Sequence, residues 1–172
     1  MGNRPIEFCD NARDLGLILD SDLRFEEHVG KCIRIAFANL KKLYGSGSVL
    51  DQANRIMLCD ALVLSHFNYG SVVYGPCLSA TVAAMIQRVQ NACVRFVCGL
   101  RRRDHVSSKL GEIEWLNKVN RRKLGYAMFC RRIIESKKPF YLYSRIEFRR
   151  DAHTVNLRNK NLITPPIHRT TL

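Results

Sequence analysis

The first 22 residues carry short apolar stretches and no helical repeat. Residues 6–8 alternate between apolar and polar side chains, and the apolar run Leu15–Leu19 lies between two aspartates. Both patterns are typical of β-strands, and the segment Asp10–Arg13 offers turn residues between them. We therefore predict a β hairpin over residues 1–22. A two-stranded hairpin is marginal alone, so it needs the helices that follow or a sheet from elsewhere.

After residue 22 the apolar positions recur every three or four residues, which predicts amphipathic helices. Ser21 or Asp22 can cap the first helix, and the glycine-serine stretch at 45–48 ends it. Later predicted helices run from about Asp51 into 62–64, from Ser79 to Gly99, from Ser107 or Ser108 through Leu110, Ile113, Trp115 and Leu116, and from about Asn120 to Ser136. The pattern weakens beyond Pro139, which indicates an irregular tail. The predicted fold class is mainly α, with a short N-terminal hairpin and an irregular C-terminal tail.

The composition is that of one globular domain or two small ones. The chain has 172 residues, of which 47% are hydrophobic and 25% charged, and this excludes a disordered chain. No apolar run approaches the roughly 18 residues of a membrane span, and no signal-peptide pattern occurs. We expect a cytoplasmic or nuclear protein without a membrane partner. Seven cysteines without a C-x-x-C pair predict free thiols, no disulfide framework and no metal site.

The charge is large and unevenly distributed. The formal net charge is +13, but the first 30 residues carry −4 and the remainder +17. Arginines outnumber lysines by 19 to 9, and residues 88–150 hold 17 basic residues against five acidic ones. Such a surplus attracts polyanions, and arginine suits bidentate phosphate contact. We predict RNA, DNA or an RNA/DNA hybrid as partner; the alternative is a solvated face that maintains solubility.

The candidate binding residues are basic side chains on predicted helix faces and in one charged connection. Four of them lie on one face of the first helix, opposite its apolar stripe, where a row of cations can follow a phosphate backbone. The arginine run 101–103 is a second contact. The full set is Lys31, Arg34, Lys41, Lys42, Arg88, Arg95, Arg101, Arg102, Arg103, Arg121 and Arg122.

Catalytic signatures are absent from the sequence. The sharpest acidic grouping, Asp20 and Asp22 followed by Glu26, Glu27 and His28, offers oxygen ligands for a divalent cation. Helix capping and favourable interaction with the helix dipole explain the same residues better. No phosphate-binding glycine loop, G-x-S-x-G or H-E-x-x-H occurs. We therefore predict no catalytic residue, no metal and no cofactor.

The order of motifs resembles that of reverse transcriptases from non-LTR retrotransposons of the jockey-like kind. The likeness covers nearly the whole chain, and it rests on a collinear series in which no single motif is diagnostic. The segments are Asp14–Phe25, His28-Val29, Tyr69-Gly70, Val73-Tyr74, Arg88–Phe96, Gly99–Ser107, Trp115-Leu116, Arg121-Arg122, Pro139–Leu142 and 165–170.

The resemblance implies a specific part of that polymerase. The "LGLILD" stretch would lie at the last palm hairpin, near the primer grip, and the following helices would form a thumb-like bundle and the region after it. The implied divisions are a palm-like hairpin (1–22), a thumb-like domain (23–100), a basic helical region (101–138) and an irregular tail (139–172). A complete polymerase would supply a palm domain as partner and would bind Mg²⁺.

The family's catalytic Tyr/Phe-x-Asp-Asp turn and its upstream aspartate have no counterpart here, and neither does the zinc knuckle of some members. Two-metal phosphoryl transfer needs those carboxylates, so we expect no polymerisation by this chain alone. There are three alternatives to a polymerase fragment. One is a self-standing basic helical module that reads bases with a recognition helix, as a helix-turn-helix does. The others are a non-functional relic of a truncated element and an enzyme without a recognisable signature.

Overall fold

The structure is a computed structural model that describes residues 9–152, residue 158 and residues 162–164. The chain divides into two compact units, Met1–Gly125 and Tyr126–Leu172. Within the described residues the fold is mainly α with one hairpin, as the sequence predicts. The elements of the first unit are β1 (Asn11–Asp14), β2 (Leu17–Asp20), α1 (Glu26–Gly45), α2 (Gln52–Leu62), α3 (Ser71–Tyr74), α4 (Ala80–Cys98) and α5 (Ser107–Glu112). The helix α6 (Lys118–Ser136) crosses the division, and α7 (Phe140–Tyr143) and α8 (Arg149–Ala152) belong to the second unit.

The hairpin has a different turn from the predicted one. Residues 11–13, expected in the turn, lie in β1, and Asp14 pairs with Leu17 across a two-residue turn at Leu15 and Gly16. Both turn residues have positive φ, 44° and 87°, as primed hairpin turns require. The prediction was wrong because leucine is unusual at such a position. The strand predicted at residues 6–8 lies outside the described residues.

Replacing Leu15 by asparagine is expected to stabilise the protein by about 0.5–1 kcal/mol. The leucine side chain is 82% exposed, so it contributes little to packing. Its left-handed backbone is energetically unfavourable, and asparagine adopts that backbone more readily. The backbone oxygen of Leu15, which accepts a hydrogen bond from the Tyr69 hydroxyl, is retained. Urea denaturation of the two proteins measures the difference. A variant less stable than the parent would contradict this explanation of the turn.

Helix α1 begins later than expected, and Asp20 prepares its start. The Asp20 carboxylate accepts hydrogen bonds from the backbone N–H groups of Arg24 and Phe25, at 2.8 and 2.6 Å. The bond from Arg24 lowers the pKa of Asp20. Phe25, at the N-cap position, has φ 56° and no side-chain cap, and its ring is buried. The predicted cap at Ser21 or Asp22 was therefore wrong.

Helices α1, α2 and α4 build the core of the first unit. Asp51 caps α2 and Ser79 caps α4, each accepting a backbone N–H three residues ahead, and Gly99 ends α4 with φ 64°. These boundaries confirm the predicted ones. The buried face of α1 consists of His28, Val29, Cys32, Ala36, Leu40 and Leu43.

Tyr74 is the largest fully buried side chain of this core. Its hydroxyl donates to the backbone oxygen of Phe67 at 2.7 Å. Its ring centroid lies 5.4 Å from that of His28 and 6.3 Å from that of Phe25. Tyr74 thus connects the short helix α3 to the first turn of α1.

The cysteines are free thiols in the described part of the chain. Three of them are buried in the core: Cys32, Cys59 and Cys93. Cys9, Cys77 and Cys130 are exposed. A hydrogen bond with the Cys59 thiol, together with burial, raises the pKa of Cys93. The Cys93 thiol therefore remains protonated, and the two buried cysteines pack as small apolar groups.

Two later helices differ from their predicted bounds. Helix α5 begins at Ser107 without a side-chain cap and ends at Glu112, so Trp115 and Leu116 lie outside it. Helix α6 begins at Lys118, two residues earlier than predicted, and the Asn117 side chain accepts the Asn120 N–H at 2.8 Å.

In the second unit, residues 139–172 were predicted to be irregular. The described part contains the four-residue helices α7 and α8 and an antiparallel bridge between Phe148 and Ile163. The Arg150 guanidinium carbon lies 4.7 Å from the centroid of the Phe148 ring. The rest of that tail falls outside the described residues.

Candidate nucleic-acid interface

The predicted cations of α1 form an exposed row. Lys31, Arg34, Lys41 and Lys42 are all exposed, on the side of the helix opposite the buried stripe. Their spacing places the four side chains within about a quarter of the helix circumference. None of the four forms an ion pair within the described part of the chain. Because no described acid neutralises it, the row can meet an external polyanion.

The second predicted group lies at the C-terminal end of α4. Arg101, Arg102 and Arg103 are exposed in a tight turn, closed by a 2.7 Å hydrogen bond from the Arg101 N–H to the Asp104 carboxylate. Arg95 is half-buried and donates to the Asp104 backbone oxygen at 3.3 Å. The fold thus joins Arg95 to the arginine turn. Arg88, earlier on α4, is exposed.

The third group lies at the start of α6, where one predicted cation has an internal partner. Arg121 forms an ion pair with Asp60 of α2 at 3.0 Å, and both side chains are about one third exposed. This ion pair connects α6 to α2, so Asp60 partly neutralises the charge of Arg121. Arg122 is half-buried and lines the same small cavity as Arg121.

Sequence reasoning missed the most unusual cation of this group, Lys118. Its side chain is 4% exposed, and its Nζ has no hydrogen-bond partner in the described structure. The Nζ lies 5.3 Å from the centroid of the Phe67 ring. The sequence signal was present: Asn117 is a cap residue, and three of the next five residues are basic, where helices prefer acids.

A set of side-chain amides holds Lys118 in place. Gln90 is fully buried, and its amide donates to the backbone oxygen of Leu116 at 2.8 Å. Gln87 donates to Gln90 and accepts the backbone N–H of Lys118 at 3.1 Å. These bonds attach the chain just before α6 to α4. The sequence placed Gln90 among helix residues but gave no sign of this role.

Burial of Lys118 is expected to destabilise the fold at neutral pH. The pKa of Lys118 is lowered from 10.5 to about 8, first by burial and then by the charge of Arg121, with a smaller contribution from Arg122. Cys93 and Asp60 act in the opposite direction and raise it. Below pH 8 the lysine is charged in both states and the penalty is complete, roughly 3 kcal/mol. The penalty shrinks as the folded state loses its proton, and it is gone above pH 10.5.

Lys118→Met is therefore expected to raise the free energy of unfolding by roughly 2–3 kcal/mol at pH 7, with a gain that declines towards pH 10. Methionine retains the apolar stem and removes the charge. Urea denaturation of both proteins in phosphate-free buffer, at several pH values, measures the difference. An equal gain at all pH values would show that packing, and not charge, sets the effect.

One pair of residues has the composition of a nucleophile and its base. The Cys32 Sγ lies 3.7 Å from His28 Nε2, and both residues line a groove of about 400 Å³ with Lys31 and Tyr69. Burial raises the pKa of Cys32 and lowers that of His28. Both groups are therefore neutral at pH 7, whereas a reactive cysteine needs its thiolate. We interpret the pair as core packing.

The acidic grouping at the start of α1 acts locally. Asp20 binds backbone N–H groups, Asp22 pairs with Arg24 at 3.3 Å, and Glu26 and Glu27 lie in the first turn. Among the residues that the structure describes, no three His, Cys, Asp or Glu side chains are placed to share a metal ion. In the same residues, no helix has the length and apolarity needed to cross a bilayer.

The chain was compared with known proteins in three ways. Searches against protein-family models, curated proteins and solved structures each found no match. The geometry of the basic groups and the resemblance of the motif order therefore carry the functional argument.

Proposed function

We propose that this chain binds nucleic acid through the α1 row and the 101–103 turn, as the thumb-side part of a non-LTR reverse transcriptase binds its primer-template. The α1 row is the observation that carries the proposal. Four exposed cations lie on one face of a 20-residue helix and have no ion-pair partner among the described residues. They can contact successive phosphates and release condensed counterions. The resemblance adds the identity of the ligand: an RNA/DNA hybrid or the RNA of the element.

The binding is proposed to be tolerant of sequence. Lysine and arginine side chains address phosphates, and phosphate contacts position a protein without reading bases. Catalysis is not proposed for this chain, since the residues that would hold two metal ions in the related polymerases have no counterpart in its sequence. The partner that would supply them is a palm domain.

A salt titration tests the proposal. A labelled RNA/DNA hybrid is titrated with the full chain at increasing salt concentration. Four to seven phosphate contacts predict a slope of about −3 to −6 in log affinity against log salt. An affinity that is independent of salt, or no binding at low salt, would overturn it.

Three observations distinguish this proposal from a base-reading module, a relic without function and an enzyme. A self-standing module that reads bases would prefer one duplex sequence over scrambled ones by a large factor. A relic without function would show a broad melting transition and no saturable binding. Incorporation of nucleotides by the purified chain with Mg²⁺ would establish an enzyme and contradict the proposed division of roles.

A further inference from the structure

The N-terminal end of α6 carries charge of the unfavourable sign. Helix N-termini favour acids because of the helix dipole, yet the first turn of α6 contains no acidic residue. Lys118, Arg121 and Arg122 all lie in its first five residues. The Asp60 carboxylate pairs with Arg121 and also raises the pKa of Lys118. Three cations against this one carboxylate leave two positive charges in excess.

These cations surround a small cavity. It has a volume of about 30 Å³ and is lined by Lys118, Arg121, Arg122, Asn68, Ser71, Tyr74, Phe67 and Ile86. None of these described residues is acidic. A single water-sized atom needs roughly 10–15 Å³, so the cavity can admit two oxygen atoms of a larger group. Asn68, on its wall, is exposed, which places the mouth of the cavity at the surface.

Lys118 is the feature that points to a ligand. Its side chain is 96% buried, since 4% is exposed, it lines the cavity, and its Nζ lacks a hydrogen-bond partner in the described part of the chain. A buried ammonium has three donors to satisfy, and leaving them unsatisfied is costly. The Phe67 ring at 5.3 Å compensates in part, because a cation over an aromatic face is attracted weakly.

We propose that this cavity binds a phosphate group, with two phosphate oxygens inserted next to Lys118 Nζ and the Arg122 guanidinium. An oxyanion satisfies the donors of the buried ammonium and reverses the unfavourable charge at the helix end. The site is distinct from the α1 row. The inference goes beyond the proposed function and does not depend on it, because a free phosphate is sufficient to test it.

Thermal unfolding of the full chain with inorganic phosphate, against chloride at equal ionic strength, tests the site. At ten times the dissociation constant, phosphate should raise the Tm by about 4 °C. Lys118→Met should abolish this increase, although its own Tm is higher. Lys123→Met, which removes an exposed cation of the same helix, should retain it. No increase with the parent chain, or an equal increase with Lys118→Met, would overturn the proposal.

A second measurement does not depend on folding of a variant. In NMR spectra of the parent chain, added phosphate should shift the side-chain signals of Asn68 and Arg122 and leave those of the exposed Lys31 unchanged. Equal shifts at all basic side chains would indicate general ion screening and contradict a site.

A binding experiment with the RNA/DNA hybrid identifies the source of the phosphate. If the group belongs to a backbone, Lys118→Met should weaken binding of the RNA/DNA hybrid by about tenfold relative to Lys123→Met. If hybrid binding is unchanged while the response to inorganic phosphate is lost, the occupant is a free phosphate or a phosphorylated small molecule. Both results support the site. If the α1 row does not bind the hybrid, the thermal response to inorganic phosphate is still expected. The proposed nucleic-acid binding and the proposed phosphate site can therefore fail separately.

Discussion

Replacing Lys31, Arg34, Lys41 and Lys42 together by glutamine should weaken binding of an RNA/DNA hybrid about 100- to 1,000-fold at 0.1 M salt. Each phosphate contact adds about 0.7–0.9 to the slope of log affinity against log salt. Four contacts therefore supply roughly three decades of affinity at 0.1 M relative to 1 M salt. Glutamine has nearly the helix propensity of lysine and arginine, so α1 should remain folded. Fluorescence anisotropy at several salt concentrations measures both the affinity and the slope.

A matched control separates local contact from net charge. Arg24, Lys109, Arg131 and Arg150 each pair with a neighbouring acid at 2.7–3.5 Å. Replacing these four by glutamine removes the same charge but should reduce affinity less than tenfold. Equal losses in the two variants would show that the charge of the whole chain, and not the α1 row, attracts the nucleic acid.

Tyr74→Ala should lower the free energy of unfolding by about 4–6 kcal/mol. Truncation of a buried aromatic side chain leaves a cavity worth about 3–5 kcal/mol. The Phe67 oxygen also loses its bond to the hydroxyl, about 1 kcal/mol more. Since whole domains are stable by only about 5–15 kcal/mol, the variant should be close to unfolding. Calorimetry should show a Tm lower by roughly 10–20 °C.

Two further variants locate the origin of that loss. Tyr74→Phe retains the ring contacts with His28 and Phe25 and removes the hydroxyl bond, so it should cost about 1 kcal/mol. Tyr69→Ala removes a tyrosine that is 60% exposed and should cost less than about 1.5 kcal/mol. If Tyr69→Ala were as destabilising as Tyr74→Ala, the core would not be centred where the structure places it.

Local signals predicted the helices well where they were complete. Asp51 and Ser79 cap α2 and α4, and Gly99 ends α4, because each of these residues acts on backbone groups within a few positions. The start of α1 could not be predicted in this way. There Phe25 takes a left-handed backbone while its ring enters the core near Tyr74, a residue far along the chain.

The candidate interface shows the same division. The α1 row followed from helical spacing, since exposure opposite an apolar stripe is a local property. The partner of Arg121 is 61 residues away, and the burial of Lys118 depends on Phe67 and Gln87 from other elements. Sequence patterns state which residues are charged, but only tertiary packing decides which charges remain available.

The amide contacts of Gln87 and Gln90 have a practical consequence for any experiment in which the ionic strength is varied. They join α4 to the start of α6 with uncharged groups, and dissolved ions screen such bonds far less than surface ion pairs. The attachment of α4 to the start of α6 should therefore retain its geometry from dilute buffer to concentrated electrolyte. Added salt can then weaken attraction to an outside polymer while this attachment stays unchanged.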